Sequence, residues 1–433
     1  MKKLIAVLLS LAMILSLAAC GSKDETTKAP DTTTKAPETT KAAESTNAPE
    51  STQAPAPETT QAPAADLSKI KVGFIFLHDP ASSTYDNNFY QAALQVQKEL
   101  GLKDDQFIFK WNVPESAECQ DTAEEMADAG CNIVIADSFG HESYMIEAAK
   151  NYPNVQFCHA TGTQSRTVNI PNFHNAFAAI YEGRYLAGVA AGMKLDELVK
   201  AGAAPKVGYV GAFPYAEVVS GFTSFFLGVR SIVPEAKMEV VYTNSWFDIA
   251  LEKEAALLLI NDGCVLLSQH ADSEGAPKAC EEKGIPNVAY NVSTINLGPN
   301  TALISSKINW APYYKMVIEA VAKGETFATD WCGTFATGSV ELTELNTKAA
   351  APGTQEAIDK AMAELKAGTR KVFDTLYWTK DGSHLSEYLA DVQDMGDFQP
   401  DTNVIVDGVF VESGEQFRSA PYFDIRIDGI TEK

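Results

Sequence analysis

The sequence predicts an α/β protein with two doubly wound parallel-sheet lobes and a ligand cleft between them. Three observations predict it. Short apolar runs such as Lys71–Leu77 (KVGFIFL) and Asn132–Ala136 (NIVIA) read as strands buried on both faces. They alternate with stretches of helical periodicity. The alternation then starts again at Lys206–Val210 (KVGYV), which echoes the first run. Two rounds of β–α units imply two lobes, and parallel sheets place ligand groups in loops at the carboxyl ends of their strands.

The chain has 433 residues, 45% hydrophobic and 9% aromatic, enough to build large cores. Residues 1–20 stand apart from the rest. Lys2 and Lys3 precede an apolar stretch, Leu4 to Leu17, too short to span a bilayer comfortably and patterned as a secretory signal. The stretch ends in Leu17-Ala18-Ala19-Cys20, which resembles a bacterial lipobox, with Cys20 as the lipidated thiol. Residues 21–65 repeat TTKAP and related phrases, with no aromatic residue and no aliphatic larger than Ala. Such a segment cannot offset its ordering entropy and reads as a disordered Thr/Ala/Pro-rich tether. A flexible chain of this length spans about 40 Å on average. The folded part is then 66–433, with one lobe at 66–200 plus 306–330 and the other at 201–305 plus part of 331–433.

Along that part, a polar loop from His78 to Asn87 leads to a helix with Phe89, Ala92, Ala93, Val96 and Leu100 on one face. Phe107–Trp111 reads as a strand, Ser116–Ala129 as a helix, Asn132–Ala136 as a strand, Glu142–Asn151 as a helix and Val155–Ala160 as a strand. Ala176–Met193 has helical spacing of Tyr181, Tyr185, Leu186 and Val189. In the second round, a helix through Phe222, Phe225, Phe226 and Val229 follows Lys206–Val210. Met238–Tyr242, Val265–Ser268 and Val288–Tyr290 are strands. Helices at Asp248–Asn261, where Asp248 is a good N-cap, and at Glu274–Lys283 separate them. Ala302–Ser305, a helix from Ala311 to Lys323, a helix at Glu356–Lys366 and a strand at Val404–Val411 complete the pattern.

Several functions are excluded or disfavoured. Acidic residues number 57 against 34 basic, a formal charge of -23, which argues against a nucleic-acid surface. Beyond Cys20 the cysteines are Cys119, Cys131, Cys158, Cys264, Cys280 and Cys332. They form no CxxC, and their spacing selects no disulfide pair. GxSxG, GxxxxGK[ST] and GxGxxG are all absent. His141-Glu142 begins a HExxH-like string that lacks its second histidine. The reading is therefore not an enzyme, with no cofactor and no metal.

The predicted strand-end loops instead combine aromatic rings with hydrogen-bonding groups. Phe89 follows Asp86-Asn87-Asn88, Phe139 lies between Ser138 and Gly140, Trp246 follows Asn244-Ser245, and Trp310 follows Asn309. Rings stack on flat heterocycles while Asn and Asp orient the ring edge. Such a site suits a planar, nitrogen-rich ligand, and composition alone leaves a sugar open.

Phrases across about residues 70–345 carry a resemblance: KVGFIFLHDPASSTYDNNFYQAA, NIVIADSFGHESYMIEAAK, YEGRYLAGVAAG, YTNSWFDIALEKEAALLLINDG and LLSQHADSEG. Together they resemble the basic membrane protein family of lipoproteins, substrate-binding components of ABC importers similar to a purine nucleoside receptor. The resemblance implies a type I periplasmic-binding fold with a closing hinge. It also implies a purine base or nucleoside as ligand, a permease with a separate ATPase as partner, and a lipid anchor on the extracytoplasmic face of the cell membrane; a monomer is expected. It places a stacking role on Phe89. The family's ribose-binding aspartate falls on Asn291, a departure that weakens the case for ribose recognition, and a family lysine falls near Lys307. The candidate ligand-binding residues are Asp79, Asn88, Phe89, Ser138, Phe139, Gly140, Glu217, Trp246, His270, Asp272, Asn291 and Trp310. A sensor lipoprotein signalling to a membrane receptor and a nucleoside hydrolase are the rival readings.

Overall fold

The computed structural model describes residues 66–390, 402–413 and 418–433. The signal segment, Cys20 and the tether at 21–65 lie outside the described residues.

Strand β1 (Val72–Ile75) is buried along its whole length, as its apolar run requires. Helix α1 (Thr84–Leu100) follows, then β2 (Phe107–Lys110), α2 (Ala117–Asp128), β3 (Ile133–Ala136), α3 (Glu142–Asn151), β4 (Gln156–Ala160) and β5 (Phe173–Ala178). After β5 comes α4 (Tyr181–Lys200), and a second series runs β6 (Lys206–Gly211), α5 (Ala216–Arg230), β7 (Lys237–Tyr242), α6 (Ile249–Asn261), β8 (Leu266–Gln269), α7 (Gly275–Lys283), β9 (Asn287–Tyr290) and β10 (Ala302–Ile308). Helix α8 (Ala311–Lys323) and β11 (Asp330–Gly333) precede β12 (Val340–Leu342) and α9 (Thr354–Lys366). Short strands β13 (Leu389–Ala390), β14 (Thr402–Asn403), β15 (Ile405–Val406), β16 (Val409–Phe410) and β17 (Ile430–Glu432) complete the described chain.

Two sheets result. The first has the order β11-β5-β4-β3-β1-β2 and is parallel throughout. The second has the order β12-β10-β9-β8-β6-β7-β17 and is parallel except where β12 runs against β10. The chain passes between the lobes at 179–180, 309–310 and 334–339.

Helix α4 joins the second lobe, not the first as the sequence suggested. Tyr185, Leu186, Val189 and Leu195 share a core with Phe222, Phe225 and Val229 of α5. Two glycines allow that contact: a Cβ on Gly188 would collide with the Phe225 carbonyl, and one on Gly228 with that of Tyr185. Packing against both α5 and α9 explains why α4 is buried around most of its surface.

Other boundaries also move. The stretch Ala176–Met193 is not one helix: Phe173–Ala178 is a strand buried on both faces, and the helix begins at Tyr181. Helix α1 starts before Asn87, because the Ser83 hydroxyl caps it by accepting from the Asp86 amide. Val404–Val411 folds back on itself as a hairpin. Asp407 and Gly408, both at positive φ, form the two-residue turn that Asp-Gly favours.

The C-terminal part belongs mostly to the second core, through Phe373, Trp378, Val404, Phe410, Tyr422 and Phe423. It also reaches the first lobe. The Ser419 amide donates to Asp330 Oδ2 (2.9 Å), and Asn175 Nδ2 donates to Ser419 Oγ (2.7 Å).

Candidate functional site

The carboxyl ends of both sheets face each other across a narrow cleft lined by residues from the two lobes. The first lobe supplies Leu77, His78, Tyr85, Asp86, Ser138, Phe139 and Thr161. The second supplies Glu217, Trp246, His270, Asp272 and Tyr290. A cleft between two lobes is a favoured place for a small-molecule site. The lobes touch around it. Thr84 donates to the Asp272 carbonyl from both its amide and its hydroxyl, each at 2.9 Å. The His78 ring lies 5.1 Å from that of Phe247, and the Phe139 ring 5.8 Å from that of Tyr215.

Each lobe holds its strand-end loops with a fully buried glutamate on the helix that borders them. Glu142, the first residue of α3, accepts from the amides of Thr163 (2.7 Å) and Gln164 (2.8 Å), fixing the loop that carries Thr161. Glu252 in α6 accepts from the amides of Ser273 (3.1 Å) and Asp248 (3.3 Å), fixing the loop that carries Asp272. Burial raises Glu252 to about 7. Two buried histidines brace the Ser138 loop: His159 Nε2 donates to the Ser138 carbonyl (2.6 Å) and His141 Nε2 to that of Val113 (2.9 Å). Burial lowers both to about 4, so they are neutral at pH 7.

Three carboxyls, Asp86, Glu217 and Asp272, line the cavity, and Asp137 lies beside Asp86. Against the cost of burial, hydrogen bonds from His78 and Ser83 hold Asp86 below its ordinary value. Burial and the neighbouring Asp86 push Asp137 well above the carboxylate range, so this pair retains a proton. Burial, with Glu252, Asp86 and Glu217 nearby, likewise raises Asp272. A protonated carboxyl can donate to a ligand, and Glu217, at the N-terminal turn of α5, can accept.

Of the twelve candidates, Ser138, Phe139, Glu217, Trp246, His270 and Asp272 meet at this cavity. Asn291 sits behind Asp272, 1% exposed, donating to Asp272 Oδ1 at 3.3 Å. Asn88 donates to the Ile308 carbonyl (2.6 Å) and, with Asn291 and Lys307, borders a separate surface recess. Gly140 and Ser138 are both tied to Glu115 Oε1, at 2.7 and 2.6 Å. Asp79 is exposed and spends its side chain on the Ala81 amide in a turn. Phe89 and Trp310 do not line the cavity. Their rings stack on each other at 4.3 Å within the first lobe's core, and Tyr85 covers Phe89 from the cleft side. The aromatic lining is therefore Tyr85, Phe139, Trp246 and Tyr290.

Sequence reasoning expected the loop from His78 to Asn88 at the cleft but did not single out His78, Tyr85 or Asp86, and it missed Thr161 and Tyr290. Tyr290 and Thr161 directly end or follow strands, a position that could have flagged them.

Comparison with known proteins agrees with this geometry. The profile of the Bmp family, described as ABC transporter substrate-binding protein PnrA-like, matches residues 69–366. A purine-binding protein of Brucella abortus (strain 2308) is 35% identical over 256 residues, 59% of this chain and 70% of that protein. A Haloferax volcanii protein named as an ABC transporter glucose-binding protein is 30% identical over 273 residues, 63% of each chain. Among solved structures, an ABC transporter solute-binding protein from Conexibacter woesei superposes with a TM-score of 0.58 at 20% identity, covering 70% of this chain and 98% of that one. This likeness identifies the fold as periplasmic-binding-protein-like. The family is one of substrate-binding proteins, not enzymes, which implies a small-molecule ligand and an ABC permease as partner. With the family profile spanning both lobes that enclose the cavity, the chain belongs to the PnrA-like family of ABC transporter substrate-binding proteins.

Proposed function

We propose that this protein is a monomeric, lipid-anchored receptor on the extracytoplasmic face of the cell membrane, that it captures a purine, and that it delivers it to a permease driven by a separate ATPase. The observation that carries the ligand reading is the cavity wall. Four rings, Tyr85, Phe139, Trp246 and Tyr290, alternate with Asp86, Glu217, His270 and Asp272, a lining suited to a flat heterocycle with donors and acceptors on its edge. The Brucella relative's name supports the same class. A base fits better than a nucleoside, because Asn291 stands where ribose binding would need an acidic side chain and is already committed to Asp272.

The ligand test is mass spectrometry of whatever co-purifies with the chain, followed by calorimetric titration with adenine, guanine, hypoxanthine, their nucleosides and glucose. Binding of glucose and of no purine would overturn the reading. The anchor rests on the leader pattern ending at Cys20. Acyl chains contribute about 0.8 kcal/mol per buried CH₂. Cys20→Ser is therefore expected to move the protein from the membrane fraction to the soluble one, and unchanged partition would remove the anchor.

A further inference from the structure

Beneath the cleft floor lies a cation for which the binding reading gives no role. Arg184, in the first turn of α4, is 2% exposed. Among the described residues it forms no ion pair with a carboxylate, unlike Arg166 with Asp330 or Arg426 with Glu432. Its Nη1 donates to the Tyr209 hydroxyl (2.7 Å) and the Gln269 carbonyl (3.1 Å), and its guanidinium lies 3.8 Å from the centre of the Tyr290 ring. Its Nη2 lies 3.0 Å from His270 Nδ1.

A guanidinium only donates, so His270 Nδ1 is the acceptor and carries no proton. The hydrogen of the neutral ring is then on Nε2, which faces Glu217 Oε1 at 3.3 Å. Space for this arrangement comes from Gly221 in α5. A Cβ there would lie 2.9 Å from His270 Nδ1 and 3.0 Å from Arg184 Nε, between the two groups. Gly221 is helical, so the constraint is the contact and not the backbone.

We propose that Arg184 is a positioning residue of the binding site: from below the floor it locks His270 as a neutral Nε2–H donor and thereby keeps the Glu217 carboxyl oriented toward the ligand. The groups facing His270 are Arg184 from α4, Glu217 from α5 and Tyr290 from β9; Tyr209 of β6 is bonded to Arg184, and Asp272 follows two residues along the same loop. Burial and the Arg184 charge together lower His270 to about 4, against the pull of Glu217. Without the cation, Glu217 would draw a proton onto His270. The resulting ion pair would hold the Glu217 carboxylate more tightly than the neutral Nε2–H does, and so weaken what it offers the ligand.

The test is NMR of the full chain carrying ¹³C/¹⁵N-labelled histidine, with His270→Asn used to assign the signal. The wild-type ring is expected in the Nε2–H tautomer and without titration between pH 5 and 8. Arg184→Met is expected to bring its titration above pH 6, while Arg184→Lys keeps it low. Gly221→Ala retains the charge but separates the groups, and is expected to raise the midpoint by a smaller step. Should Arg184→Met fail to fold, Gly221→Ala and Arg184→Lys still decide the matter. A wild-type Nδ1–H tautomer, or a midpoint unmoved by both Arg184→Met and Gly221→Ala, would overturn the proposal. A second arm titrates adenine and hypoxanthine at pH 5.5 and 7.5. Wild-type affinity should differ less than twofold between the two, and Arg184→Met should lose at least fivefold at the lower pH. Equal affinity for Arg184→Met at the two pH values would also overturn it. This arm rests on the purine reading, whereas the histidine spectrum of the unliganded chain does not, so failures of the two are distinguishable.

Discussion

The two faces of the cleft come from the same β–α repeat yet treat buried charge in opposite ways. On the first face Asp86 spends its acceptors locally, on the His78 amide (2.8 Å) and the Ser83 hydroxyl, with protonated Asp137 beside it. On the second, Glu217 has His270 as its one hydrogen-bonding side-chain partner among the described residues, so acceptor capacity remains for a ligand. The difference teaches that lining a cavity and reading a ligand are separate jobs. The first lobe's Asp86 is largely satisfied within its own wall, whereas Glu217 of the second keeps acceptor capacity.

The largest effect should come from exchanging the two kinds of aromatic residue. Phe89 is core on the first side, so Phe89→Ala should cost about 3–5 kcal/mol of folding stability in urea titration. Trp246 is a half-buried wall of the second, packed on Phe213 at 5.0 Å. Trp246→Ala should instead lose about 1–3 kcal/mol of purine affinity, roughly 5- to 150-fold, in calorimetry at a temperature where the variant is folded. A Phe89→Ala protein of wild-type stability would break the division.

The carboxyls come next. Asp86→Ala strands the His78 amide and leaves the loop before α1 unpinned, for a cost of about 3 kcal/mol. Asp137→Asn replaces a protonated carboxyl by a neutral isostere and should cost less than about 1 kcal/mol. Comparable losses in both would show that Asp137 is ionised.

Behind the second face, Ser220 of α5 donates to buried Glu412 (2.6 Å), and burial raises Glu412 to about 7. A folded-state value above the unfolded one means the stabilisation is complete below about 4.5 and is lost as pH rises through 7. Glu412→Gln should therefore gain stability relative to wild type at pH 8 but not at pH 4. The gain is on the order of 3 kcal/mol, read from denaturation midpoints at the two pH values. An equal change at both would remove Glu412 as a titrating group.

The smallest effect concerns closure. Thr84→Val removes one of the two bonds to the Asp272 carbonyl. It should weaken purine binding by about 0.5–1.5 kcal/mol, mainly through faster dissociation in stopped-flow.

Most of the architecture was legible in the sequence because strands buried on both faces leave apolar runs that helices interrupt. Where the runs were weak the reading slipped. Phe173–Ala178 (FHNAFA) mixes aromatic, polar and small residues and passed for the start of a helix. Strands β11 (DWCG) and β12 (VEL) are too short and too exposed to carry periodicity. Half of the candidate site was legible for one reason: strand-end loops of a parallel sheet converge. Tyr85 and Asp86 lay in a loop expected at the cleft, but with the helix start set too late nothing showed which of that loop's side chains face inward. Phe89 and Trp310 were misassigned because each one's partner is the other, far away in the sequence, and no local pattern announces such a pair.

The last strand has a consequence for how the molecule reaches this form. β17 completes the second sheet by pairing with β7, nearly two hundred residues earlier. Until residues 430–432 emerge and dock, β7 (KMEVVY) presents an unpaired edge that can template pairing with another chain. Contacts so distant in sequence also form slowly. The second sheet is thus complete only once residues 430–432 have covered that edge.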